Sequence, residues 1–161
     1  MNEKVEKFAI AARQFCEWAE SDYPVNSQTL KQALELMTEL FLLGLRLADE
    51  FEEIDEDSPP VGSADDKTRM VYSQASKLPL THYSEVFNSN VVPPEDPVIG
   101  DLADDIADIY QDLRRGLDLL EAGHTVHAVW KWVFHLRCHW GEHATSAIRA
   151  LYWYLQASEA L

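Results

Sequence analysis

Hydrophobic residues recur every three or four positions along most of the chain, which is the spacing of one face of an α-helix. The first such segment can be capped by Asn2 and ends before Pro24. A second begins at Asn26 or Ser27 and continues to about Phe51, with apolar residues on two sides. This pattern predicts two long helices, the second of which has neighbours on both sides.

The middle of the chain is less regular. The acidic stretch 55–66 contains two prolines and a glycine and predicts a loop, within which Ser63 can cap a third, shorter helix ending near Leu78. A one- or two-turn helix is expected between Thr81 and Phe87, and the proline-rich segment 91–97 predicts an extended connector. No segment shows sustained alternation of polar and apolar residues, so no strand is predicted.

The last third has the clearest helical signals. Asp101 can cap a helix for which Gly123 is the residue just past the C-terminus, and Thr125 can cap a final helix reaching about Ala157. Gly141 weakens that last helix and allows a kink. The tight connection predicts an antiparallel hairpin. The fold class is therefore all-α, a bundle of four long helices plus one or two short ones that ends in this hairpin.

Length and charge restrict the number of domains and the kinds of partner that we expect. A chain of 161 residues favours a single helical domain spanning 1–161. The 13 Lys and Arg residues against 28 Asp and Glu give a formal net charge of −15. Nucleic acid and anionic membranes are polyanions, so we expect neither as a partner, whereas cationic partners and metal ions remain open.

The cysteines and the N-terminus predict a cytoplasmic protein. Cys16 and Cys138 are far apart and form no disulfide framework, which is typical of a reducing compartment. The first residues show neither the basic region nor the apolar region of a secretory signal.

Two stripes of polar residues in the hairpin carry the main candidate chemistry. Each stripe repeats every four residues and so lines one side of its helix. Counted from the Gly123 turn, the stripes are level with one another, pairing Asp112 with His135, Asp108 with His139 and Asp104 with His143. Aspartate and histidine together can bind zinc, iron or manganese, so Asp104, Asp108, His139 and His143 are the candidate metal ligands.

We favour a structural interpretation of these stripes. The aspartates lie away from the apolar face of their helix, which predicts a solvated surface. On this interpretation His139, at the edge of the apolar face, donates a hydrogen bond to a backbone carbonyl or a nearby carboxylate. No cofactor is assigned.

A second group of acids allows a different metal. Glu50 and Glu53 at the end of the second helix, with the aspartates at 101, 104, 105 and 108, could surround Mg²⁺ if the two groups meet. That arrangement resembles the all-α nucleoside triphosphate pyrophosphohydrolases, although the doubled glutamates expected on the first helix are missing.

Aromatic residues concentrate on the final helix, where most are expected to pack in the core. Trp132 and Trp153 lie off its main apolar face. Either another helix covers them or they form an interface, for example in a homodimer.

Several segments resemble a bacterial family known only as a domain of unknown function (number five-zero-six-three). They are the segments 100–113 and 139–151, with weaker similarity in 72–79 and in the proline-rich connector. The resemblance spans nearly the whole chain and implies an all-helical fold, but it implies no activity. His135 and Cys138 depart from the family pattern, which leaves His139 and His143 as the better pair of ligands.

Two hypotheses of function follow. The leading one is a non-catalytic interaction or regulatory module that binds another protein or forms a homodimer, because no complete catalytic constellation is visible. The alternative is a metal-dependent enzyme that uses the Asp and His residues, or a phosphohydrolase that uses the acids alone.

Overall fold

A computed structural model describes residues 2–54, 59–60 and 65–161. Its main elements are six α-helices and two short strands: α1 (Glu3–Glu20), α2 (Ser27–Leu47), α3 (Asp65–Ala75), β1 (His82–Glu85), β2 (Val98–Asp101), α4 (Leu102–Glu121), α5 (Thr125–Cys138) and α6 (Trp140–Ala157). A turn of 3-10 helix, Ala48–Glu50, follows α2. The predicted all-α fold is confirmed.

The bundle closes as a ring of helices. α1 packs against α2, α2 against α6, α6 against α4, and α4 against α1, while α5 covers α4 next to α6 and α3 covers the outer side of α4. Apolar side chains from all six helices form one core. α4 is therefore the most enclosed helix, and polar groups on several of its sides are withdrawn from water.

Local capping signals explain where three of the helices begin and where α4 ends. The side chains of Asn2, Asn26 and Asp101 each accept a hydrogen bond from the first turn of the helix that follows. Gly123 has a φ of +86° at the turn of the hairpin, a conformation that favours glycine. These four predictions are confirmed. Thr125 is the first residue of α5 instead of its cap, and the predicted cap Ser63 lies outside the described residues.

The prediction of no strands was wrong, as was the short helix at 81–87. β1 and β2 pair antiparallel, with Tyr83 opposite Gly100. A side chain at position 100 would come within 2.4 Å of the Tyr83 ring, so glycine is needed there. Strands of four residues are too short to show a period-two pattern, and cross-strand contacts of this kind have no signature in the local sequence.

The final helix is divided into two. His139 has a φ of −152° and a ψ of −90°, so it separates α5 from α6. A Cβ at Gly141 would lie 2.1 Å from the Leu136 carbonyl oxygen, which shows how closely the two helices approach after the break. The expected kink near Gly141 is thus a full interruption, centred on a candidate ligand.

Trp132 is fully buried by its own chain, so its assignment to an interface was wrong. Its ring lies over Gly116, where a Cβ would be 2.0 Å from Nε1, and Nε1 donates to the Leu113 carbonyl at 3.1 Å. Trp153, by contrast, is 59% exposed. Among the described residues no helix is both long and apolar enough to cross a membrane.

Candidate metal centre

The two predicted stripes face each other across the contact between α4 and the α5–α6 pair. The prediction that the aspartate stripe is solvated was wrong for part of it, since Asp112 is 1% exposed. Asp105, one position outside the stripe, is 5% exposed. The helices α5 and α6 cover this side of α4, so its carboxylates must find partners within the protein.

Asp112 binds two histidines at the end of α5. Its Oδ2 accepts a hydrogen bond from Nδ1 of His139 at 2.7 Å. Its Oδ1 lies 2.8 Å from Nδ1 of His135, close enough for an ion pair although not aligned as a hydrogen bond. Burial by itself would raise the pKa of Asp112, but the contacts with His135 and His139 outweigh it and lower that pKa. Asp112 is therefore an ionised acceptor that fixes the His139 ring.

Asp105 performs the same task for His143. Its Oδ1 accepts from Nδ1 of His143 at 2.9 Å, and its Oδ2 accepts from the Tyr83 hydroxyl at 2.6 Å. Burial raises the pKa of Asp105, and the bonds to His143 and Tyr83 offset only part of that effect. The hydrogen bond to Asp105 raises the pKa of His143. The small sheet contributes here, because it is β1 that carries Tyr83 to the start of α4.

These two bonds determine which ring nitrogen of each histidine is free. When Nδ1 donates its proton to a carboxylate, neutral imidazole keeps its lone pair on Nε2. Nε2 of His143 lies 3.3 Å from Oδ2 of Asp108, and Nε2 of His139 lies 3.9 Å from the same oxygen. In the neutral form of both rings, two lone pairs and one carboxylate oxygen thus converge at a single point.

The distances suit a metal ion after small adjustments. Ligand atoms of Asp108, His139 and His143 all lie within 4.8 Å of one another. Around a tetrahedral ion with bonds of about 2.1 Å, neighbouring ligand atoms lie roughly 3.4 Å apart. All three side chains are partly exposed, with 25–38% of their surface accessible, so an ion can reach them from solvent.

Asp112, His135 and His139 form a second group with the same mutual spacing. In this group the nitrogen of each histidine that faces Asp112 is Nδ1, and the His139 proton is already used in a hydrogen bond. We therefore assign Asp112 to orienting the ring of His139 and not to ligation.

Three of the four predicted ligands come together, and Asp104 does not. Asp104 is exposed and belongs to neither group of ligand atoms found among the described residues. The expected pairing of Asp104 with His143 was wrong by one residue, since Asp105 takes that position. The sequence had indicated Asp112 as a partner level with His135, and Asp105 only as a possible magnesium ligand. It did not predict that these two carboxylates would orient His139 and His143. Tyr83 was not a candidate at all, because its contact with Asp105 depends on the strand pairing.

The magnesium alternative does not assemble. Glu50 contacts Lys4 at 3.0 Å and Asn2, at the beginning of α1. The end of α1 is where Glu20 meets Tyr110 of α4, and Arg13 lies beside Glu121, so α1 and α4 run antiparallel. The two groups of acids are consequently at opposite ends of the bundle.

The fold and this site define the class of protein. It is a helical bundle in which carboxylates of α4 alternate with imidazoles of the α5–α6 pair. The chain belongs to the family described as a domain of unknown function (DUF5063), whose model matches residues 1–157. Its fold is similar to the crystal structure of protein BF1032 from Bacteroides fragilis, with a TM-score of 0.74 and 18% identity over 94% of this chain and 95% of that one. At that identity the similarity shows the fold alone. A search of curated proteins gave no match.

Proposed function

We propose that this protein binds one divalent transition-metal ion through Asp108, His139 and His143, and that it is a metal-dependent enzyme. The observation that carries the proposal is the pair of oriented histidines. Each Nδ1 is held by a different buried carboxylate, and each Nε2 points to Asp108. Ligating histidines in metalloproteins are held in this way by carboxylates behind them.

Electrostatics also favours a cation at this point. Asp105, Asp108 and Asp112 bring three carboxylates to one contact between helices, and burial raises the pKa of Asp108. A divalent ion among Asp108 and the two Nε2 atoms would offset the cost of burying these charges. Two imidazoles with one carboxylate suit zinc, iron or manganese better than magnesium or calcium, which prefer oxygen ligands alone.

The number of protein ligands points to catalysis. Structural zinc sites use four protein ligands, whereas catalytic sites use three and keep a position for water or substrate. Here three side chains converge and remain accessible to solvent. A metal in this position would supply Lewis acidity to a bound water or carbonyl.

The proposal is tested on protein purified without a histidine tag and stripped with a chelator. Titration calorimetry with Zn²⁺, Mn²⁺ and, under anaerobic conditions, Fe²⁺ should show one ion bound per chain for at least one of them. His139→Ala should abolish the binding. His124→Ala is the matched control, because His124 is exposed at the turn between α4 and α5 and lies outside the site.

The structural interpretation gives a different result in the same experiment. If the row serves only stability, no ion binds and His139→Ala costs about 1–3 kcal/mol of unfolding free energy, because Asp112 loses a partner. That outcome would overturn the proposal.

Fewer observations support the interaction-module hypothesis than support the metal centre. Its aromatic evidence is reduced to Trp153, which stays an interface candidate because it is exposed. A homodimer remains a prediction that sedimentation of the protein at micromolar concentration can check.

A further inference from the structure

A groove lies between the β1 region and α6, beside the candidate metal centre. Its volume is about 560 Å³, within the range of roughly 300–1,000 Å³ typical of small-molecule sites. Tyr83, whose hydroxyl binds Asp105, lines one part of it, and Ser146 and Arg149 of α6 line another. We call this feature the β1–α6 groove.

Two large aromatic side chains of the groove lack cover. Phe87 is 64% exposed and Trp153 is 59% exposed, and both line the groove. Among the described residues, the Trp153 indole has only the Tyr152 ring as an aromatic neighbour, in an edge contact at a centroid distance of 5.5 Å. Exposed aromatic faces on the walls of a concave site are suited to a flat, apolar part of a ligand.

Arg149 supplies a positive charge next to one of these rings. It precedes Trp153 by four residues on α6, so the two side chains are neighbours on the helix surface, with Cβ atoms roughly 5–6 Å apart. The guanidinium makes no ion pair or hydrogen bond with any residue that the structure describes, although the protein carries a net charge of −15. Guanidinium groups bind carboxylates and phosphates through paired hydrogen bonds.

Two acids, Glu85 and Glu142, also line the groove, and neither forms an ion pair with Arg149. The Glu85 carboxylate accepts a hydrogen bond from Ser146. Glu142 lies seven residues before Arg149, two turns or about 10 Å along the helix axis. An anionic group is therefore attracted to the Arg149 guanidinium and repelled from the Glu85 and Glu142 carboxylates.

We propose that the β1–α6 groove binds a small organic anion that has a planar apolar part. The planar part lies against Trp153 and Phe87, and the carboxylate or phosphate is held by Arg149. This inference needs no metal ion, so it is tested on chelator-stripped protein and stands or falls separately from the metal centre.

The experiment compares three probes that share a naphthalene ring and differ in charge: 1-naphthylacetate, 1-naphthylmethanol and 1-naphthylmethylammonium. Binding is measured by calorimetry and by changes in the Trp153 indole resonance in NMR spectra. The acetate should bind about fivefold more tightly than the alcohol, as expected for one partly solvated ion pair, and the ammonium should bind more weakly still.

Variants assign the two contacts. Arg149→Gln should bring the affinity for the acetate down to that for the alcohol and leave the alcohol unaffected, whereas Trp153→Ala should weaken both. Arg46→Gln and Phe134→Ala are the matched controls, because they remove an arginine and an exposed aromatic ring that do not line the groove.

Three outcomes would overturn the proposal. The first is absence of binding by all three probes at millimolar concentration. The second is equal affinity for acetate and alcohol in the unaltered protein. The third is an acetate affinity that Arg149→Gln does not change, which would place the anion elsewhere.

Discussion

Two tyrosine–carboxylate pairs join α4 to neighbouring elements, and they differ in the third residue that the carboxylate contacts. Tyr110 donates to Glu20 at 2.8 Å, and Glu20 also binds Lys67 at 3.1 Å. Tyr83 donates to Asp105 at 2.6 Å, and Asp105 also binds His143 at 2.9 Å. In the first pair the carboxylate contacts a lysine, whose ammonium group donates hydrogen bonds and has no lone pair for a metal ion. The second ends at an imidazole, whose other nitrogen faces Asp108.

The difference separates a structural contact from a candidate site. Burial would raise the pKa of Glu20, but the bonds from Tyr110 and Lys67 outweigh it and lower that pKa, so the charge is balanced within the protein. For Asp105 the effect of burial prevails and raises the pKa. A carboxylate whose burial is incompletely compensated, next to converging lone pairs, is typical of a place that receives a further positive charge.

The largest expected effect is on metal affinity when a ligand is lost. His143→Ala should weaken binding of the preferred ion by at least about 100-fold, because ligand loss should exceed the roughly 10–100-fold cost of losing a supporting residue. Lys67→Ala alters the equivalent position of the other pair and should leave affinity unchanged. Calorimetry on both variants makes the comparison. Equal affinities would remove the distinction between the two pairs.

A smaller loss is expected when the supporting carboxylates are neutralised. Asp105→Asn and Asp112→Asn should each weaken metal binding about 10- to 100-fold, because the His143 and His139 rings lose the acceptor that fixes their Nδ1. Competition with a chromophoric chelator measures this range. Glu20→Gln is the control, and a similar loss in that variant would point to a general effect of net charge.

The two tyrosine hydroxyls should contribute equally to stability but differ in their effect on the metal. Tyr110→Phe and Tyr83→Phe each remove one hydrogen bond to a carboxylate and should cost about 1 kcal/mol of unfolding free energy. Only Tyr83→Phe should also change metal affinity, by a few-fold, because Asp105 contacts His143. Urea unfolding and calorimetry separate the two effects. A metal effect of Tyr110→Phe would contradict the assignment.

The smallest effect belongs to the ion pair of Glu20 with Lys67. The Lys67 side chain is 57% exposed, so Lys67→Ala should cost no more than about 0.5 kcal/mol. The loss should shrink further in high salt, since solvent-exposed charges are screened. Urea unfolding at low and high ionic strength measures it, and a cost above 2 kcal/mol would mean that this pair is more enclosed than its exposure indicates.

Local signals predicted much of the fold. Helix caps such as Asn26 and Asp101 act within one turn of chain, and so does the positive φ of Gly123, so each can be recognised from its neighbours in sequence. The strand carrying Tyr83 could not be predicted in this way, because its pairing depends on the Tyr83 ring lying over Gly100, seventeen residues away. The break at His139 likewise depends on how α5 and α6 approach each other.

The sequence predicted most of the candidate site, but not the rotation of α4 about its axis. Spacing alone identified Asp108, His139 and His143 as potential neighbours. One residue on a helix is a turn of about 100°, so the choice between Asp104 and Asp105 depends on the angle at which α4 meets α6. The burial of Trp132 over Gly116 could not be predicted for the same reason, because it depends on which helix covers that side of α5.

Anomalous diffraction from crystals soaked with the ion that binds best in solution would locate the metal and its ligands. The metal centre predicts one strong peak, bonded at roughly 2.0–2.2 Å to Nε2 of His139, Nε2 of His143 and a carboxylate oxygen of Asp108. The Nδ1 atoms of the same histidines should stay hydrogen-bonded to Asp112 and Asp105. A peak coordinated through Nδ1, or no peak between α4 and α6, would contradict the account.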